Sequence, residues 1–370
     1  MVASSHLSNI STCPEISATL PSDILTDIFS RLPVKSIARF KCVSKSMSLL
    51  LKNPVFVKQH LQRAISEDPN LILKVDHKLF SVEDEDWSKC RKLHIPFTSS
   101  MERVELSGSC NGLLCISDQL CDEDIFLYNP SIGVSRKLPS PYFDVPATEG
   151  SCFTTIGFGF HQAENDYKIV RCVYLYDKPF LDIESYRCEA RVYSLSTNKW
   201  KKIGVIPFHL GYRTAIWLGN EYFVWKASRV TGQRVTSLVV SFDMNREEFK
   251  EIPQPDTNYP EDTHVEVGSL GAGYLSMFYL RSNDGVDIWS MKDYCVKESW
   301  NLLFVIRRPE IVNHRYMFLR PLAILKNGEI VIEAGERASV VQGTHAAWIH
   351  VHGKISNVSQ RSLLGVADYL

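Results

Sequence analysis

The residue types that could do chemistry are present in this chain, but no set of them closes. His350 and His352 stand two apart in a strand-like run and would share one face, so they could fill two positions of a metal shell. A zinc site needs three or four donors, and no further donor lies near them in sequence. No resident metal or other cofactor is therefore expected. Glu83-Asp84-Glu85-Asp86 and Cys121-Asp122-Glu123-Asp124 concentrate carboxylates. Their spacing gives no closed calcium ligand set, and they read as solvated hairpin tips. Gly157-Phe158-Gly159-Phe160 sits in strand surroundings without the Lys-Ser/Thr and helix that a phosphate cradle requires. Gly268-Ser269-Leu270-Gly271 reads as a turn, because a strand pattern follows it where a nucleophile elbow would be followed by a helix. The expectation is a protein without a catalytic centre.

The elements that would carry such residues fall into two kinds. From Leu20 to about Ser66 the apolar residues recur at helical spacing, and the helix boundaries are legible. Pro21 and Ser22 open a first helix carrying Ile24, Leu25, Ile28 and Phe29, and Leu32-Pro33 stops it, because proline lacks the donor and restricts the residue before it. A second helix runs from Val34 to about Lys41. Ser44 caps a third with Met47, Leu50 and Leu51, and Asn53-Pro54 restarts the chain as a cap followed by a first-position proline. Three helices this short cannot bury all their apolar side chains among themselves. Half a dozen Leu or Ile side chains left in water would forgo on the order of 10 kcal/mol, so the segment calls for a protein partner. Between Ile28 and Ser66 stand eight basic residues and no acidic one, so the partner should be acidic. Nucleic acid is disfavoured, because the segment has neither stacking aromatics nor a groove-reading motif.

After Pro69 the period changes to alternation, and aromatic and β-branched residues dominate. A unit recurs in which a strand ends in an aromatic or aliphatic anchor, then come a turn and a second strand that often ends near proline. The anchors Phe80, Tyr128, Tyr193, Phe242, Trp289 and Ile349 are 48, 65, 49, 47 and 60 residues apart. A period near fifty marks propeller blades, whose sheets cannot bury their faces until neighbours stack around a centre. Six anchors predict six blades, with inner strands at 112–116, 167–171, 221–225, 273–277 and 329–332. Gly219-Asn220 and Asn327-Gly328 supply tight hairpins.

Composition sets the outer bounds. The chain has 370 residues, 45% hydrophobic and 22% charged, with net charge −1, enough for a sizeable core and a small accessory domain. Ten cysteines without a Cys-x-x-Cys pair, and no signal-peptide core before Leu20, predict a reduced cytoplasmic or nuclear setting. The apolar runs are too short to cross a bilayer, so no membrane association is expected. Residues 1–17, rich in Ser, Thr and Asn, are expected to be a disordered extension.

The run LPSDILTDIFSRLPVKSIARFKCVSKSM resembles the F-box, in the form found in plant F-box proteins that carry a C-terminal F-box-associated domain. Met47 stands where that family usually has tryptophan, which predicts looser packing there. The long region carries the matching signatures Ser109-Cys110-Asn111-Gly112-Leu113-Leu114, Tyr128-Asn129-Pro130-Ser131, Gly157-Phe158-Gly159-Phe160, Asn165-Asp166-Tyr167-Lys168 and Ile288-Trp289-Ser290-Met291. The resemblance implies a mainly β protein with a small α domain: an F-box over 18–64 and a kelch-like β-propeller over 68–370. It further implies a Skp-type adaptor bound through the F-box, a cullin reached through that adaptor, and a target protein held by the propeller for ubiquitination and proteasomal degradation. The residues implied in adaptor docking are Leu20, Pro21, Ile24, Leu25, Ile28, Leu32, Pro33, Val34, Ile37, Phe40, Val43 and Leu50. Target contacts are expected from loops at 142–154, 176–187 and 258–263. The alternatives are an S-locus F-box pollen factor recognising S-ribonucleases, a propeller scaffold without ligase function, and a propeller enzyme.

Overall fold

The structure is a computed structural model that describes residues 20–66, 71–75, 78–82, 90–95, 104–118, 124–141, 153–176, 186–211, 215–219, 221–231, 234–260, 263–270, 273–281, 285–307, 318–324, 330–335 and 346–350. The extension expected over 1–17 lies outside them. The chain divides into two compact units, residues 1–71 and 72–370.

The first unit holds four helices: α1 (Ser22–Ser30), α2 (Val34–Phe40), α3 (Lys45–Lys52) and α4 (Pro54–Ser66). Two prolines start the first two helices by the same device. The Pro21 carbonyl accepts from the Ile24 and Leu25 amides, and the Pro33 carbonyl from those of Ser36 and Ile37, while each ring fixes φ near the value a helix entry needs. Ser44 Oγ accepts from the Met47 amide at 3.1 Å and Asn53 Oδ1 from the Val55 amide at 2.9 Å, as the cap reading anticipates. The helix opened by Asn53-Pro54 is the longest of the four, at 13 residues, so it is a full member of the unit. Phe29, Ile37, Leu51 and Phe56 form the buried core, with Leu25, Leu32, Phe40, Met47 and Leu50 packed around it. Asp27 binds Arg63 at 2.6 Å, tying α1 to α4.

The second unit consists of six sheets whose strands follow chain order, antiparallel in sheets two to six. Sheet one holds β1 (Leu71–Val75), β2 (Lys78–Val82) and β3 (Cys90–Lys92). Sheet two holds β4 (Val104–Cys110), β5 (Leu113–Asp118), β6 (Ile125–Asn129) and β7 (Val134–Lys137). Sheet three holds β8 (Phe153–His161), β9 (Asp166–Tyr176), β10 (Tyr186–Ser194) and β11 (Lys199–Ile206). In sheet four an interrupted first strand, β12 (His209–Leu210) and β13 (Ile216–Trp217), lies on β14 (Tyr222–Thr231), followed by β15 (Arg234–Asp243) and β16 (Glu248–Ile252). Sheet five holds β17 (His264–Leu270), β18 (Tyr274–Arg281), β19 (Gly285–Met291) and β20 (Trp300–Arg307); sheet six holds β21 (Phe318–Ile324), β22 (Ile330–Gly335) and β23 (Ala346–His350).

Each predicted anchor falls in a different sheet, and five of the six lie on its third strand: Tyr128, Tyr193, Phe242, Trp289 and Ile349. Sheets two to five hold four strands or more, whereas the first and last hold three among the described residues. The arrangement is propeller-like, because the apolar clusters lie between consecutive sheets. Leu79, Leu93, Leu114 and Phe126 join sheets one and two; Cys115, Leu127, Phe158 and Ile169 join two and three. Val170, Tyr174, Trp225 and Phe242 join three and four; Val224, Val239, Met277 and Trp300 join four and five. The prolines that close the repeat units have a use in this stacking. Trp200 Nε1 donates to the Pro139 carbonyl at 2.6 Å and Trp300 Nε1 to the Pro253 carbonyl at 2.8 Å, so the last strand of one sheet is latched to the end of the preceding sheet.

One expectation is corrected. The stretches expected as inner strands are the second strands of their sheets, and the first strands β4, β8, β13, β17 and β21 are the ones that approach one another from sheet to sheet. Neighbouring first strands approach so closely that a Cβ on Gly159 would lie 2.7 Å from the Trp217 ring, and one on Gly157 3.0 Å from Ala215 Cβ. The Gly-x-Gly pair therefore serves strand packing, as its strand surroundings suggest.

Candidate interaction surfaces

The core of the helical unit leaves out many of the side chains singled out for docking. Leu20, Pro21, Ile24, Ile28, Pro33, Val34 and Val43 are exposed, with Ile24 at 47%, Ile28 at 45% and Val43 at 66%. Leu25, Leu32, Phe40 and Leu50 are half-buried against the core and present only part of their surface. Ile37 is buried inside it, so its contribution is to the shape of α2. Sequence reasoning did not select Leu49, Val55 and Val57, which are also exposed. Nothing in the helical spacing alone separates these from core positions. Of the eight basic residues, Arg31 and Arg63 share the carboxylate of Asp27. Those two cations hold the Asp27 carboxyl below the usual carboxylate range.

The β unit has two unlike ends, a consequence of topology. Consecutive antiparallel strands place alternate connections at opposite ends, and a four-stranded sheet returns the chain to the end where it began. One end carries the short turns 111–112, 130–133, 162–165, 195–198 and 244–247. Every non-glycine residue with positive φ among the described residues lies at this end: Asn111, Asn165, Asn198, Glu221, Glu247 and Cys295. Polar contacts cross between sheets there: Arg136 to Asn198 at 2.8 Å, His161 to Asn245 at 3.0 Å, and Lys201 to Glu247. The other end carries the longer connections, and all three loops expected to contact a target belong to it. Most of 142–154 and 176–187 lies outside the described residues. In 258–263, the Tyr259 hydroxyl donates to Asp287 Oδ2 at 2.5 Å, fixing that loop to sheet five.

The candidate chemical residues stay apart. His350 ends β23, and His352, Glu83–Asp86 and Cys121–Glu123 lie outside the described residues. Asp124 pairs with Lys137 at 2.7 Å. Gly268–Leu270 belong to β17 and are strand where a turn is expected, and Gly271 lies outside the described residues. Burial pushes the Cys110 thiol up to about 12 and raises those of Cys115 and Cys172, which keeps them protonated and poorly nucleophilic near neutral pH. Among the described residues no three His, Cys, Asp or Glu side chains are grouped to hold a metal, and no helix is long and apolar enough to cross a membrane. A recess of about 290 Å³ between sheets one and two is lined by Arg91, Lys92, His94 and Tyr128, with no carboxylate.

Comparison with known proteins matches both units. The family described as F-box domain matches residues 18–59, and the family described as F-box associated beta propeller domain matches residues 70–365. The chain is similar to the Arabidopsis thaliana F-box protein At3g07870, with 33% identity over 87% of this chain and 84% of that protein. It is likewise similar to F-box protein CPR1 of Arabidopsis thaliana, with 31% identity over 85% of this chain and 79% of that one. Of solved structures, the Aleuria aurantia lectin in complex with α-methyl-L-fucoside aligns with 78% of this chain and 99% of its own, at 10% identity and a TM-score of 0.40, a likeness that carries no functional argument.

Proposed function

We propose that this chain, which belongs to the F-box proteins carrying an F-box associated β-propeller domain, is the target receptor of an SCF-type ubiquitin ligase. The helical unit binds a Skp-type adaptor and, through it, a cullin. The β unit binds a protein target, in the cytoplasm or nucleus. The observation that carries this reading is the division of apolar side chains in the helical unit. Its core closes on Phe29, Ile37, Leu51 and Phe56, while Leu20, Ile24, Ile28, Val34 and Val43 remain outside. Burying the exposed part of those five under a partner would contribute about 5 kcal/mol before the cost of association.

The mechanism needs no nucleophile in this chain. Holding a target lysine near a charged conjugating enzyme raises their effective concentration, and transfer follows from proximity. Outside the Asp27 cluster, Lys35, Arg39, Lys45, Lys52 and Lys58 of the helical unit are exposed and, with half-buried Lys41, suit an acidic adaptor.

The test is affinity purification of the tagged full chain from Arabidopsis thaliana cells, with and without proteasome inhibition. The expected result is a Skp-type adaptor and a cullin in both samples, with further proteins enriched only when degradation is blocked. Recovery of the intact chain without adaptor or cullin in either sample would overturn the reading.

A further inference from the structure

The central hairpin of sheet four outgrows its neighbours. Strands β14 and β15 pair over ten residues each, from Tyr222 opposite Asp243 to Thr231 opposite Arg234. Strand β16 covers β15 only over Val239–Asp243, and β12 covers β14 no further than Ser228. Residues 229–231 and 234–238 therefore extend at the end of the longer connections, paired with each other and, among the described residues, with no further strand.

The outer edge of β15 has a defined polarity. The Ser237 carbonyl faces outward and accepts from Gln254 Nε2 at 3.0 Å. Both backbone groups of a residue in an antiparallel strand point to one side, alternating along the chain, so the N–H and C=O of Val235 face outward as well. Exposed edges are usually guarded by lysine, proline or a bulge, and Val235-Thr236-Ser237-Leu238 has none of these. Val235 is 57% exposed and lies directly across from Val230, so the edge offers an apolar pair beside its ladder groups. The protruding segment 229–238 contains two arginines and no acid. Arg229 pairs with Glu251 and lies over the Phe208 ring, while Arg234 stands exposed at the tip.

We propose that the edge Arg234–Leu238 takes an extended, acidic segment of the target protein as an added strand. Its backbone pairs with Val235 and with the Ser237 N–H, the Ser237 carbonyl being shared with Gln254 Nε2, a small or β-branched side chain covers Val230 and Val235, and a carboxylate meets Arg234. This inference rests on the reading of the β unit as the target-binding part. The charge favours an acidic segment over a second copy of this chain, which would bring two more arginines and no acid to the same edge.

The experiment uses the full chain co-purified with its adaptor and a display library of random linear dodecapeptides. Selected peptides are expected to be rich in Asp and Glu, and to slow amide exchange within 234–238. Binding should fall at least tenfold on Val235→Pro, which removes an outward donor and leaves the hairpin's own bonds in place. The second variant, Arg234→Glu with Val235→Glu, leaves the backbone donors intact and should weaken the same peptides, which keeps the test valid if the proline variant unfolds. Peptides that bind both variants as they bind the parent, protection that maps elsewhere, or a library that yields no binder would each overturn the assignment. Self-association of the parent that disappears in the variants would overturn it in favour of a second copy. Adaptor binding, measured in the same preparation, separates the two claims: its loss counts against the ligase reading, while indifference to the variants with the adaptor bound counts against this edge alone.

Discussion

The helical unit and the β unit use apolar residues in opposite ways. In the β unit every sheet from the first to the fifth packs against a neighbour, and four successive clusters hold most of the buried hydrophobic side chains among the described residues. The helical unit closes a core of four buried residues and leaves eight large apolar side chains exposed. A repeat array satisfies itself because each face meets an equivalent face of the next repeat. A bundle of four short helices has no repeat of itself to stack on, and part of its apolar surface stays exposed. The same kind of substitution should thus have opposite consequences in the two units: loss of stability in one, loss of a partner in the other.

Two substitutions carry the largest expected losses of stability, the first where backbone meets backbone in the β unit. Gly273 has φ +87, and a Cβ there would lie 2.0 Å from the Leu218 carbonyl oxygen. Gly273→Ala should cost ~3 kcal/mol, from the close contact and the left-handed conformation together, seen as a lowered denaturation midpoint with unchanged adaptor binding. An unchanged midpoint would mean that the inner strands are looser than described. Next comes Leu51→Ala at the centre of the helical core, expected to cost about 2–5 kcal/mol and to unfold that unit while the transition of the β unit stays in place. A single transition shifted as a whole would show that the units fold as one.

Smaller effects test the latches. Trp200→Phe and Trp300→Phe each remove one indole donor to a proline carbonyl and should each cost ~1 kcal/mol, additively, since the pairs lie in different sheets. The smallest expected effect is a pH dependence at His209. Burial depresses its pKa below the usual histidine value of 6.5, so the unfolded chain takes up the proton first. The associated stability is present above about pH 6.5 and declines as pH falls below it. Thermal melts at pH 7.5 and 5.5 should show a larger drop for the parent than for His209→Gln, and equal drops would remove His209 from the account.

Much of this division is legible in the sequence, for physical reasons that also explain the gaps. The third strands end in large aromatic or aliphatic residues that pack between sheets, so Tyr128, Tyr193, Phe242 and Trp289 mark one sheet each. The first strands are obscured by the feature that fits them to the centre. Gly108 lies within β4 and Gly157 and Gly159 within β8, where a Cβ would meet the next sheet at 3.2 Å or less, and Gly268, which reads as part of a turn, lies within β17. In the helical unit the spacing identifies apolar positions without saying which side is covered. Ile37 and Ile24 carry the same side chain at helical positions, yet the first is 6% exposed and the second 47%. Only the packing of α3 and α4 decides between them. The protruding hairpin of sheet four is invisible for a related reason: strand length is written in its residues, but the shortness of the neighbouring strands is not.

The central claim is that the uncovered side of the helical unit is a docking surface for the adaptor, and calorimetric titration of the purified chain with a Skp-type adaptor tests it most directly. Tight binding by the parent is expected, with loss of at least a hundredfold in affinity for Ile24→Glu with Ile28→Glu and an unchanged melting temperature, because both side chains already face water. Equal affinity of parent and double variant, or no binding by the folded parent, would contradict it.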